Sequence, residues 1–167
     1  SYVCDGAFAG FSLLTTLILP ECTSITRFPK AKLTTISLPK LPSISGFLFS
    51  GAKITTASFP ECSYVDAGAF QGCTELNTVY FPKCTYLEIQ AFQGCSKLTT
   101  ASFPKCSYIG WTTFSGCTKL SSLYLLSTSL VTLQNSSAFL STPCKIFVPK
   151  KLFNTYKTAT NWSKYSS

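Results

Sequence analysis

Cysteine is the residue type here best equipped for chemistry: the chain holds nine cysteines and no histidine. Thiols in that number could build a disulfide framework, a zinc site or, beside a histidine base, a catalytic nucleophile. Their positions argue against all three. Cys73, Cys95 and Cys117 stand 22 residues apart, and Cys22, Cys62, Cys84 and Cys106 fill a second recurring position. No C-x-x-C pair occurs and no imidazole is available, so zinc lacks both halves of its usual ligand set. If the repeats stack as successive layers, same-column cysteines come close enough to bridge, but their parallel Cβ vectors suit a disulfide poorly. Free cysteine packs as a small apolar group, so the column cysteines are expected to be reduced core thiols. Cys4 and Cys144 lie outside the columns, and their redox state stays open. Without histidine, no Ser-His-Asp or Cys-His arrangement can form within the chain. The six carboxylates are scattered; Glu21 and Glu61 share one position of the repeat, with Lys40 between them. Glycines are single and evenly spaced rather than gathered into a phosphate-binding loop. The expectation is a noncatalytic chain with no catalytic residue, no metal site and no cofactor.

The elements that position these columns follow from the repeat itself. From Phe70 the chain reads FQGCTELNTVYFPKCTYLEIQA, from Phe92 FQGCSKLTTASFPKCSYIGWTT, and from Phe114 FSGCTKLSSLYL. A unit of 22 residues cannot bury its own apolar face and must stack on its neighbours. The fold expected is therefore an α/β solenoid: a right-handed superhelix of about seven coils, one short parallel strand per coil. In each unit Leu76, Val79 and Phe81 give the inward pattern of a strand, with Thr78 and Tyr80 facing out. The same template predicts strands at Leu14–Leu19, Leu33–Leu38, Ile54–Phe59, Leu76–Phe81, Leu98–Phe103 and Leu120–Leu125, with Ile146–Val148 as a seventh. Pro20, Pro39, Pro60, Pro82 and Pro104 end the first five, because proline has no N–H to extend a ladder. Gly10, Gly51, Gly72, Gly94 and Gly116 mark the turn into the next strand. The coil containing Arg27 has lost that turn, and spacing is irregular before Pro60.

Outward strand positions are the remaining place for function. Thr16, Thr35, Thr56, Thr78, Thr100 and Ser122 form one column; Ile18, Ser37, Ser58, Tyr80, Ser102 and Tyr124 form the next. Threonine favours strands for its own sake, so the column also has a purely structural explanation. Tyr80 and Tyr124 add flat contact area with a polar tip. The candidate ligand-binding set is Thr56, Thr78, Tyr80, Thr100, Ser102, Ser122 and Tyr124.

Net charge is +8 and unevenly spread. No Asp or Glu follows Glu88, whereas Lys97, Lys105, Lys119, Lys145, Lys150, Lys151, Lys157 and Lys164 do. A basic half attracts anionic polymers. Nucleic acid is not an expected partner, because the lysines are scattered and Arg27 is the sole arginine able to read a base or phosphate bidentately. No stretch has the length of a membrane span, so no membrane insertion is expected of this segment.

The motif AFQGC, the following L-x-x-x-x-F-P and the C-x-x-I-G turn, at Ala69–Pro82, Ala91–Gly110 and onward, resemble the BspA-like (Treponema pallidum type) leucine-rich repeats of bacterial and protist surface proteins. The resemblance covers roughly residues 1–150, and the tail IFVPKKLFNTYKTATNWSKYSS is similar to the terminal segment of such proteins in gut Firmicutes. It implies a leucine-rich-repeat solenoid in an extracellular, cell-surface or secreted setting, binding a host or matrix protein or a glycan. A structural spacer with no ligand of its own is the alternative. The array is expected at 1–149 and a C-terminal cap at 150–167, where Leu152, Phe153 and Tyr156 share one side of a helix opened by Pro149. Ser1–Phe8 aligns with Ser63–Phe70, so the chain is expected to begin in mid-repeat. Val3, Phe8 and the Leu14–Leu19 edge would then lie uncovered and support weak self-association.

Overall fold

The computed structural model describes residues 2–3, 11–26 and 32–165. The side chain of Val3, together with Cys4, Phe8, Gly10 and Arg27, lies outside the described residues. The expectations for the N-terminal end, the Cys4 thiol and the Arg27 coil therefore rest on sequence alone.

One coil shows how the sequence turns. Gly72 takes φ +68°, a left-handed conformation that suits a residue without Cβ. The Cys73 N–H donates across this corner to the Phe70 carbonyl at 3.1 Å. The strand Thr78–Tyr80 follows. Phe81-Pro82-Lys83-Cys84 then forms a turn with proline at its second position, closed by the Cys84 N–H donating to the Phe81 carbonyl at 3.3 Å. Beyond the turn the chain enters a second strand, Tyr86–Leu87. The solenoid thus carries two strands per coil where one was expected. The second is only two residues long, too short for an alternating pattern to show in sequence, and its C-x-x-I motif reads as part of a turn.

Long strands of three residues recur at Thr16–Ile18, Thr35–Ser37, Thr56–Ser58, Thr78–Tyr80, Thr100–Ser102, Ser122–Tyr124 and Lys145–Phe147. The first six expected strands shrink toward their middles, because flanking residues turn toward the corners, and the seventh, expected at Ile146–Val148, lies one residue earlier at Lys145–Phe147. Among the described residues, seven long strands bound six complete coils. The last five pair in parallel as one sheet, and the first two pair separately. The break falls between Thr35–Ser37 and Thr56–Ser58, at the N-terminal side of the regular 22-residue repeats. Short strands divide the same way, with Ser43–Ile44, Tyr64–Val65, Tyr86–Leu87, Tyr108–Ile109 and Thr132–Leu133 in one sheet.

Between the sheets lie two phenylalanine ladders. Phe49, Phe70, Phe92, Phe114 and Phe139 stack at 5.1–5.6 Å between centroids. Phe59, Phe81 and Phe103 stack beside them at 5.4 and 5.5 Å. All eight rings are essentially inaccessible to solvent. From Phe49 onward successive coils thus present the same ring to the next, and burial of aromatic surface joins each of these layers to its neighbour.

The C-terminal end closes with a 3-10 turn at Lys150–Leu152, a helix at Phe153–Thr158 and a second 3-10 turn at Ser163–Tyr165. Tyr156 and Trp162 are buried against the last coil. The Trp162 indole donates to the Val131 carbonyl at 2.7 Å, and the Tyr156 hydroxyl accepts from the Val131 N–H at 3.1 Å. Asn161 donates to the carbonyls of Leu133 and Gln134, and the Tyr165 hydroxyl donates to that of Ser136. Backbone groups at the end of the array are thereby satisfied. Phe153 departs from expectation. It is 54% exposed, with the Lys157 ammonium 5.4 Å from its ring, because the preceding 3-10 turn rotates it away from the coil. Among the described residues, no helix is long and apolar enough to cross a membrane.

Candidate binding face

The thiol columns are structural. Cys22, Cys62, Cys73, Cys84, Cys95, Cys106 and Cys117 are all buried and unbridged. Cys62, Cys84 and Cys106 follow the proline turn and donate to the carbonyls of Tyr64, Tyr86 and Tyr108 at 3.2–3.3 Å. Cys73, Cys95 and Cys117 donate across coils to the carbonyls of Phe49, Phe70 and Phe92 at 3.0–3.2 Å. A small apolar side chain with one weak donor suits such a corner. Burial raises the thiols of Cys62 to about 11 and of Cys73 and Cys106 to about 12. Cys95 is also pushed upward, chiefly by the neighbouring Cys117 thiol and then by burial. Cys144 is half-buried and free, raised by burial to about 11. Groups protonated this firmly make poor nucleophiles at neutral pH.

Three of the carboxylates are spent in ion pairs. Lys40 pairs with Glu21 at 2.6 Å, Lys83 with Glu61 at 2.7 Å and Lys97 with Glu75 at 2.6 Å, each pair bridging adjacent coils on the surface. Hydrogen bonding to lysine holds Glu21 and Glu75 below the usual carboxylate range. Lys105, Lys119 and Lys145 join no ion pair among the described residues.

The predicted binding residues come together on one surface. Thr56, Thr78, Thr100 and Ser122 stand in register across the long-strand sheet, as do Ser58, Tyr80, Ser102 and Tyr124. Thr56, Thr78 and Tyr80 are exposed; Thr100, Ser102, Ser122 and Tyr124 are half-buried. Between the columns Ala57, Val79, Ala101 and Leu123 point into the core. Two residues extend the face beyond that set: Lys145 pairs with Ser122 and Phe147 with Tyr124. The signal was the same alternation around Ile146, read there only for its inward members. Phe147 stacks on Tyr124 at 4.7 Å and 13°.

Hydroxyl groups divide sharply by position. Residues just before the strands use theirs to tie coils together: Thr99 donates to the Asn77 carbonyl at 3.1 Å and Ser121 to that of Thr99 at 3.1 Å. Thr85 and Ser107 do the same beside the short strands, at 3.2 and 2.9 Å. On the long-strand face, the hydroxyls of Thr56, Thr78, Tyr80, Thr100, Ser102, Ser122 and Tyr124 have no hydrogen-bond partner among the described residues. The opposite surface differs again. Tyr64, Tyr86 and Tyr108 stack at 5.5 and 4.1 Å, and the Tyr64 hydroxyl donates to Glu88 at 3.0 Å. Burial first, then the hydrogen bonds to Glu88 and Tyr86, raises Tyr64 and Tyr108 to about 12. That ladder is closed on itself; the long-strand face is open.

Comparison with known proteins agrees with this architecture. The sequence model of the BspA type leucine-rich repeat region matches residues 1–121 and 42–160, with six copies. A leucine-rich repeat protein from Bacteroides ovatus superposes with a TM-score of 0.51 at 17% identity, over 96% of this chain and 50% of that one. The chain thus spans half the length of that relative. A leucine rich cell surface protein from Faecalibacterium prausnitzii aligns with a TM-score of 0.39 at 16% identity, over 89% of this chain and 64% of that one. No curated protein matches the sequence.

Proposed function

Since the chain belongs to the BspA-type leucine-rich repeat family, we propose that it is a noncatalytic binding module of a bacterial cell-surface or secreted protein, engaging its partner through the long-strand face. The observation that carries this reading is the unspent hydroxyl array. Equivalent hydroxyls one residue earlier bond coil to coil, whereas those of Thr56, Thr78, Thr100, Ser102 and Ser122 project with no partner among the described residues. A face of free donors and acceptors around Tyr80 and Tyr124 suits recognition of a polar surface. The partner is a host or matrix protein or a glycan. Membership of a family of bacterial surface repeats supports the surface setting, and the catalytic alternatives lack histidine and, among the described residues, any convergence of acids.

The test is a binding screen on matrix-protein and glycan arrays at low and high salt, with Tyr80→Ala/Tyr124→Ala beside the parent. Binding lost in the variant supports the strand face. Salt-sensitive binding indifferent to the tyrosines points to the lysine-rich half instead. No binding across the screen leaves the segment a spacer.

A further inference from the structure

Aromatic columns in this molecule show what occupies each layer. Tyr64, Tyr86 and Tyr108 supply a ring in three consecutive coils, so the middle ring is covered on both faces. The outward long-strand column runs Ser58, Tyr80, Ser102, Tyr124, Phe147. Phe147 covers one face of Tyr124. Toward Tyr80 the next position is Ser102, and among the described residues no ring stacks on Tyr80, which is 51% exposed. The ladder therefore lacks a single ring between Tyr80 and Tyr124. With layers ~4.8 Å apart, the two tyrosines stand about 9.6 Å apart along the stack. A flat ring in contact with both would fill only ~7–8 Å, so a puckered, thicker ring fits the gap better.

The surroundings restrict that ring further. Ser102 forms its floor, and Thr78, Thr100 and Ser122 offer unspent hydroxyls beside it. Lys105 lies three residues beyond Ser102, Lys119 three residues before Ser122, and Lys145 is in register with Ser122. None of these lysines is ion-paired among the described residues, and no acid follows Glu88 in the chain.

We propose that the gap over Ser102 is a saccharide subsite, in which Tyr80 and Tyr124 sandwich one ring of an acidic polysaccharide whose carboxylates meet Lys105, Lys119 and Lys145. This rests on the long-strand face being the binding face and names its ligand class. Tyrosine faces take the C–H side of the sugar, the hydroxyl columns take its polar edge, and the lysines complement its charge.

The experiment is calorimetric titration with an oligomer of galacturonic acid and a glucose oligomer of equal length, at low and high salt. The acidic oligomer should bind, more weakly at high salt, and the neutral one should bind far less. Ser102→Tyr supplies the missing ring from the protein, so it should abolish binding while the melting temperature holds or rises. Tyr80→Ser repeats the residue already present at Ser58 and should weaken binding about tenfold. Unchanged binding by Ser102→Tyr and Tyr80→Ser, with loss in Thr78→Val/Thr100→Val, overturns the sandwich and keeps the strand face. Binding unaffected by all of these variants overturns both. No binding of the acidic oligomer, or equal binding of the neutral one, overturns the acidic-saccharide assignment alone, because the array screen tests the face with other partners.

Discussion

Thr112 should be a position where the protein gains stability by losing a side chain. It lies one coil beyond Gln90 and two beyond Gly68, all with positive φ: +50°, +60° and +61°. For a β-branched residue this left-handed conformation costs ~1–2 kcal/mol. Thr112 is also buried, and its hydroxyl has no hydrogen-bond partner. The adjacent Thr113 hydroxyl, by contrast, donates to the carbonyls of Gly110 at 2.8 Å and Glu88 at 3.1 Å. An orphaned buried hydroxyl costs ~1–3 kcal/mol. Thr112→Gly removes both penalties. Against them stand the entropy of an unfolded glycine, ~0.5–1 kcal/mol, and a buried methyl group, ~0.8 kcal/mol. The net expectation is stabilisation by ~1–2 kcal/mol, a rise in melting temperature of roughly 2–8 °C for a chain of this size. Urea denaturation followed by circular dichroism, with thermal melts, measures it. The mirror experiment is Gly68→Ala, whose Cβ would run into the Phe47 ring at an unfavourable φ; it should destabilise by ~1–3 kcal/mol. Destabilisation by Thr112→Gly would refute the reasoning that conformation and the orphan hydroxyl dominate there.

Phe92→Ala removes a fully buried ring stacked on Phe70 at 5.1 Å and Phe114 at 5.5 Å, and should cost ~3–5 kcal/mol in denaturant unfolding. Tyr64 and Tyr108 hold their protons to about pH 12 in the folded state, above the ordinary tyrosine value near 10. Their stabilisation is full below about pH 10 and drains as pH rises through about 12, so ultraviolet titration should show late tyrosinate formation coinciding with loss of structure. A thiol reagent should find the column cysteines inert in the native protein at neutral pH. After denaturation without reductant it should recover at least those seven, whereas recovery of only a couple would mean bridged coils.

Most of the fold was legible because each coil repeats the same physical instructions. Phe81-Pro82 ends a strand, Gly72 opens the next coil, and Val79 between Thr78 and Tyr80 sets which side faces out. The column of Thr78, Thr100 and Ser122 therefore assembled as read. What escaped lies below the reach of pattern. Tyr86–Leu87 is a strand of two residues, visible only through its pairing with Tyr64–Val65 and Tyr108–Ile109. Phe147 belongs to the proposed binding face because Ile146 points inward, yet the final coil has lost the proline-cysteine turn that anchored most of the other alignments. Phe153 has helical spacing, but a preceding 3-10 turn advances by a different angle per residue and swings it into solvent. Which hydroxyls remain free was likewise invisible, since Thr99 and Thr100 are identical in type and differ only in the carbonyl within reach.

Hydroxyl-radical footprinting of the protein with and without its strongest partner from the array screen tests the binding face most directly. The account predicts protection of Tyr80, Tyr124 and Phe147, with Tyr64, Tyr86 and Tyr108 unchanged. Protection of the Tyr86 ladder, or of the C-terminal cap around Phe153, with Tyr80 and Tyr124 still fully reactive, would contradict it.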